Sequence, residues 1–148
     1  MNGSLKYKPD DLYVTTHLCR GNYRSTWAFS GGYDLIAPTL LAHENVDGFF
    51  LEYDDERSGG FEPLKHIPKD GPRVVLGLLT SKDGALEDRD TVIRRVEEAS
   101  QYVPHDQLRL SPQCGFASTH HGNELTEDEQ WEKLRYIVGL ASDIWANE

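Results

Sequence analysis

Arg73-Val74-Val75-Leu76-Gly77-Leu78-Leu79-Thr80 carries no polar side chain between its two ends. A strand with one wet face alternates polar and apolar residues; a run without alternation is buried on both faces, as in a parallel sheet. Parallel neighbours cannot be joined by tight hairpins, so helical crossovers are expected between strands. The residues on either side supply them. Downstream, Asp88 or Asp90 can N-cap a helix running to about Tyr102, with Val92, Val96 and Ala99 on one face and Pro104 beyond its end. A fourth strand follows over Leu108 to Cys114. Thr126 and Glu129 then form a capping box for the last helix, where Trp131, Leu134, Val138, Ala141 and Trp145 recur as an apolar stripe expected to be buried. Upstream, Val46 to Tyr53 is an apolar strand closing on Glu52, and Phe61 to Ile67 is at most a short helix before Pro68. The first strand is Leu12 to Thr16, ending at His17. Tyr33 to His43 reads as a helix in which Pro38 sits near the first turn or makes a kink.

The pattern is strand-helix four times over, an α/β class with right-handed crossovers. Residues 1–11 are polar and read as a flexible arm, and residues 12–148 as one domain. A net charge of −10 and a pI near 5.0 argue against nucleic acid held on a basic face. No apolar run approaches the roughly 20 residues that span a bilayer, and the start lacks an apolar signal segment, so a cytoplasmic protein with reduced thiols is expected.

The chemistry gathers at the strand ends. His17 and Cys19, two apart, share one side of a pleat; Glu52 closes the second strand and Cys114 the fourth. Carboxyl ends of parallel strands open on one face, where sites are built. One nitrogen, one oxygen and two sulfurs suit tetrahedral Zn²⁺. Two thiolates and a carboxylate leave the ion with a net charge of about −1, a poor Lewis acid toward water but suited to holding an incoming thiol as thiolate. Taken singly, each residue has a plainer reading. Glu52 could pair with Arg57 or Lys82, His17 could pack beside an inert thiol, and the two cysteines could form a disulfide in an oxidising compartment. Arg20 and Asn22 could bind a carboxylate or orient the ligands, and Lys82 could place a cation at the site mouth; these are the weaker candidates, and no catalytic acid or base is assigned. His120-His121 and Asp54-Asp55-Glu56 read as solvated loops.

His17-Leu18-Cys19-Arg20-Gly21-Asn22, Phe49-Phe50-Leu51-Glu52-Tyr53-Asp54 and Ser111-Pro112-Gln113-Cys114-Gly115-Phe116 together resemble the C-terminal catalytic barrel of cobalamin-independent methionine synthase and its shorter methionine-synthase-like relatives. The resemblance implies a zinc site of His17, Cys19, Glu52 and Cys114, and transfer of a methyl group from a folate to a homocysteine-like thiol. It also implies that the chain is the second half of a (β/α)8 barrel, its last four βα units. Two departures stand out. The first half, which supplies groups for the amino acid and the folate, is not matched. Where the family carries Ile-His-Ser-Pro with a proton-transfer histidine, this chain has Leu79-Thr80-Ser81-Lys82. Half a barrel should expose several large inward residues, so a second copy (a homodimer) or a complementing N-terminal half is expected to cover them. Thiol alkylation of the epoxide–coenzyme M type, or a non-catalytic zinc-binding or oligomerisation remnant, are the alternatives.

Overall fold

A computed structural model describes residues 2–117 and 119–146 of the chain; residues 147 and 148, the expected end of the domain, lie outside it. Strands β1 (Thr15–Leu18), β2 (Gly48–Glu52), β3 (Arg73–Leu79) and β4 (Leu108–Pro112) form one sheet in that order, all parallel. Helices α1 (Leu40–His43), α2 (Arg89–Ala99) and α3 (Glu127–Ile144) carry the connections, with short 3₁₀ turns at Glu56–Ser58, Glu62–His66 and His105–Gln107. The run that begins at Arg73 is an interior strand, as its unbroken apolarity requires. No helix among the described residues is long and apolar enough to cross a membrane.

The core lies on one side of the sheet. Phe49, Leu51, Val74, Leu76, Leu78 and Leu108 are buried there with Leu41, Val92, Val96, Ala99, Ile137 and Leu140 from the helices. The other side is different from the expectation. Its central row, set by register, is His17, Phe50, Val75 and Arg109, and the next is Glu52, Gly77 and Ser111. Only Phe50 and Val75 in these rows are large and apolar, and both are partly buried. Apart from that pair, these two rows are small or polar, so their exposure costs far less than a full set of barrel-filling residues would.

Several boundaries move for identifiable reasons. β1 begins at Thr15, not Leu12, because the Val14 N–H donates to Asp47 Oδ2 at 2.7 Å and the Tyr13 hydroxyl to Asp47 O at 3.0 Å. His17 therefore lies inside the strand rather than at its end. The stretch from Tyr33 is a series of turns that becomes regular helix only at Leu40, since Pro38 has no N–H to donate to Asp34. α2 is N-capped by Asp88, whose carboxylate accepts from Thr91 N at 2.9 Å, but it stops at Ala99. Two residues of segment 2–11 contact the α1–β2 connection. The Asn2 carboxamide bridges His43 O and Asn45 N, and Lys8 pairs with Asp47 at 3.0 Å.

The largest difference is the facing of α3. Its capping box forms as read, with Thr126 and Glu129 exchanging hydrogen bonds. The buried line, however, is Lys133, Ile137 and Leu140; Trp131 and Val138 are 47% and 66% exposed. Lys133 is fully buried because its ammonium meets Thr80 O at 3.0 Å and both Glu87 oxygens at 3.3 Å.

Candidate metal centre

A flat sheet would hold its two outer strands about 14 Å apart, three spacings of 4.7–4.9 Å. Here Cys19 Sγ, just past β1, lies 3.3 Å from Cys114 Sγ, just past β4. The sheet curls, and the chain turns inward after each outer strand, so that first and last meet over the rim. Gly21, at φ +88°, makes the first of these turns; a Cβ there would stand 2.7 Å from Ala28 Cβ. Its N–H donates to Cys19 Sγ at 3.1 Å.

Glu52, buried at the end of β2, completes the cluster. Its Oε1 is 2.7 Å from Cys114 Sγ and 3.6 Å from His17 Nε2. One ligand atom from each of His17, Cys19, Glu52 and Cys114 lies within 4.8 Å of all the others. Zinc bonds of 2.0–2.3 Å in a tetrahedron put ligand atoms about 3.3–3.8 Å apart, so the cluster would admit an ion after small shifts, with the Cys114–Glu52 and Cys19–Cys114 pairs opening slightly and the widest pairs closing. Its chemistry also fits. Burial first, then hydrogen bonds to Glu52 and Cys19, push the Cys114 thiol above the ordinary thiol range. Acceptors crowded this closely need either protons or a cation between them, and two soft sulfurs with an imidazole favour a metal such as zinc.

Two of the plainer pairings are not formed. The two cysteines are free thiols. Arg57 pairs with Asp54 and Asp55, and Lys82 faces the Gln113 carboxamide and Asp54, so neither is matched to Glu52. The acidic loop is less solvated than its sequence implies. Asp55 caps the turn at Glu56–Ser58 by accepting from Arg57 N at 3.0 Å, and burial pushes the Asp54 carboxyl up. His120 and His121 stack on each other at 3.8 Å, and His121 meets the Tyr23 ring at 5.9 Å; they form no part of the four-residue cluster.

Arg20, Asn22 and Lys82 all reach the rim, in different ways. Arg20 donates its backbone N–H to Glu52 Oε2 at 3.1 Å and its guanidinium to Glu52 O at 2.6 Å. Asn22 is buried, with Nδ2 3.5 Å from Gly115 O and with no partner on Oδ1 among the described residues. Lys82 is buried against Gln113, the neighbour of Cys114, and lines a cleft of ≈ 510 Å³ with Asp54, Thr80, Glu87 and Trp27. None of the four candidate ligands lines that cleft. Sequence reasoning missed Tyr33, whose buried hydroxyl accepts from Glu52 N at 2.8 Å; burial pushes its pKa up to about 12. Nothing local marks it, since it opens an apolar stretch that reads as helix.

No family model matches the chain. Over 145 residues, 98% of its length, it is 59% identical to YxjG of Bacillus subtilis (strain 168), a protein of uncharacterised function of which it covers 38%. It superposes with a TM-score of 0.75 and 48% identity on a Listeria monocytogenes protein provisionally assigned as a vitamin-B12-independent methionine synthase, covering 97% of this chain and 38% of that one. A B12-independent methionine synthase from Shewanella sp. W3-18-1, solved in complex with selenomethionine, matches with a TM-score of 0.72 over 93% of this chain and 40% of that one; at 19% identity the likeness is one of fold. The chain spans well under half the length of the proteins it matches.

Proposed function

With its structural neighbours among the cobalamin-independent methionine synthases, matched over half a barrel, we propose that this chain is the zinc-binding half of a thiol methyltransferase. The reaction is transfer of a methyl group from a folate-type donor to a homocysteine-like thiol. The observation that carries the reading is the convergence of His17, Cys19, Glu52 and Cys114 from three strand ends onto one small volume. Zinc bound there would supply one thing, stabilisation of the substrate sulfur as a thiolate.

The remaining roles belong to the chain. The backbone N–H groups of Gly21 and Arg20 donate to Cys19 and Glu52 and hold both in place. Asn22 braces the rim beside Cys114: its Nδ2 faces Gly115 O, and its Oδ1 is enclosed without a partner among the described residues. Flipping its carboxamide would set oxygen against Gly115 O, which fixes that orientation. Lys82, where the family has a histidine nearby, is the cation at the mouth that moves or compensates charge. A partner completes the site. The unpaired edges of β1 and β4, the partly exposed Phe50 and Val75, and the outward Trp131 and Val138 support a complementing half-barrel or a second copy. Sedimentation showing a stable monomer that turns over unaided would count against it.

Metal analysis of the wild type against Cys114→Ser tests the centre. One zinc per chain is expected in the first and a marked loss in the second; equal contents would remove Cys114 from the ligand set. Incubating the loaded, complemented protein with a thiol and either a methyl-folate or an epoxide then identifies the donor. Metal without turnover on either donor would favour a non-catalytic remnant.

A further inference from the structure

Glu52 is gripped from behind by two residues outside the ligand set. The Tyr33 hydroxyl lies where β1 leaves the sheet. It accepts from Glu52 N at 2.8 Å and from Arg20 Nη1 at 3.1 Å, and stands 3.3 Å from both Leu18 O and Glu52 O. A phenol offers one donor and two lone pairs, so this hydroxyl is fully used in bridging the last carbonyl of β1 to the last amide of β2. Arg20 closes the other side. Its Nη1 reaches Glu52 O at 2.6 Å, its Nε reaches Gly31 O at 2.9 Å, and its guanidinium lies 4.3 Å over the Tyr33 ring. Both main-chain polar groups of Glu52 are thus fixed by this pair.

The side chain is fixed as well. Oε2 is engaged by the Arg20 backbone N–H at 3.1 Å, which leaves Oε1 directed at Cys114 Sγ and His17 Nε2. We propose that Tyr33 and Arg20 are positioning residues that present Glu52 to the metal through a single oxygen, so that the strength and geometry of the fourth ligand depend on the Tyr33 hydroxyl. This rests on the metal-centre reading above and adds to it the device that sets its oxygen ligand. Outer partners of metal ligands typically contribute ten- to a hundredfold in affinity.

Tyr33→Phe is the informative change. It removes only the hydroxyl, and leaves the ring against Arg20 and 5.2 Å from Tyr53. The protein is loaded with Zn²⁺ in competition with a chelating dye, and separately with Co²⁺, whose visible bands report ligand geometry. Tyr33→Phe is expected to bind one metal about ten- to a hundredfold more weakly. Its Co²⁺ ligand-field bands should change, while the thiolate charge-transfer band persists because both cysteines remain. In an E52A background, where residue 52 offers the metal no oxygen, the same change should cost less than about twofold, since the hydroxyl acts through the Glu52 carboxylate. Arg20→Lys keeps the charge and loses the fork; it should shift the bands in the same direction and serves if Tyr33→Phe fails to fold. Unchanged affinity and bands in both variants, or equal losses with and without E52A, overturn the clamp alone. A wild type that takes up no metal overturns the metal centre and the clamp with it.

Discussion

Replacing Lys133 with methionine tests the packing of α3 most sharply. Methionine keeps an unbranched stem in the core and removes the ammonium that meets Thr80 O at 3.0 Å and Glu87 at 3.3 Å. Breaking a buried pair from one side costs about 3–5 kcal/mol. The lower end applies, because the Glu87 side chain is 21% exposed and keeps its hydrogen bond from Thr80 N at 2.7 Å. About 3 kcal/mol corresponds to a fall in Tm of roughly 6–12 °C for a domain of this size. Val138→Ala, on the line of apolar residues that periodicity alone would bury, should stay within about 0.5 kcal/mol because Val138 is 66% exposed. Urea and thermal unfolding of the metal-free chain measure both. Adding Glu87→Gln to Lys133→Met should restore part of the loss, since it removes the carboxylate left without its partner. If Lys133→Met unfolds within about 0.5 kcal/mol of wild type, or Val138→Ala is the more damaging change, the assigned facing of α3 is wrong.

Three further outcomes follow from particular contacts. Gly77→Ala places a Cβ 3.0 Å from Leu51 O and 3.4 Å from Pro112 O, both backbone, so it should destabilise the sheet by about 1–3 kcal/mol and reduce metal uptake at the adjoining Glu52, as read by unfolding and metal analysis. Burial raises the pKa of Tyr33 to about 12 and pushes Tyr53 above the ordinary tyrosine range. The unfolded chain therefore releases these protons first, their contribution to stability is full below about pH 10 and falls as pH rises toward 12, and the phenolate absorbance of these two buried rings should appear together with loss of helix rather than before it. The Val14 N–H, then Lys8, hold the Asp47 carboxyl below its ordinary range, so its contribution is present above that range and is lost as pH falls below it and through the lowered pKa of the folded state; Asp47→Asn should flatten this part of an acid-unfolding curve.

The sequence by itself determined what is written locally or by strand order. The apolar run beginning at Arg73 required a parallel sheet, Asp88 and the Thr126–Glu129 pair marked helix starts, and the strand-end positions of Glu52 and Cys114 marked them as candidate ligands before any fold was known. Those signals depend on neighbours a few residues away and on the common direction of parallel strands. Tertiary structure alone decided which line of α3 is buried, because a charge hides Lys133 from any apolar pattern until Glu87 and Thr80, distant in sequence, are placed against it. It also decided that a tyrosine in an apolar stretch locks the end of β2, and that β1 and β4 curl until their sulfurs stand 3.3 Å apart. Such outcomes belong to contacts between remote segments, where the partner of a polar group is fixed by packing and not by spacing along the chain.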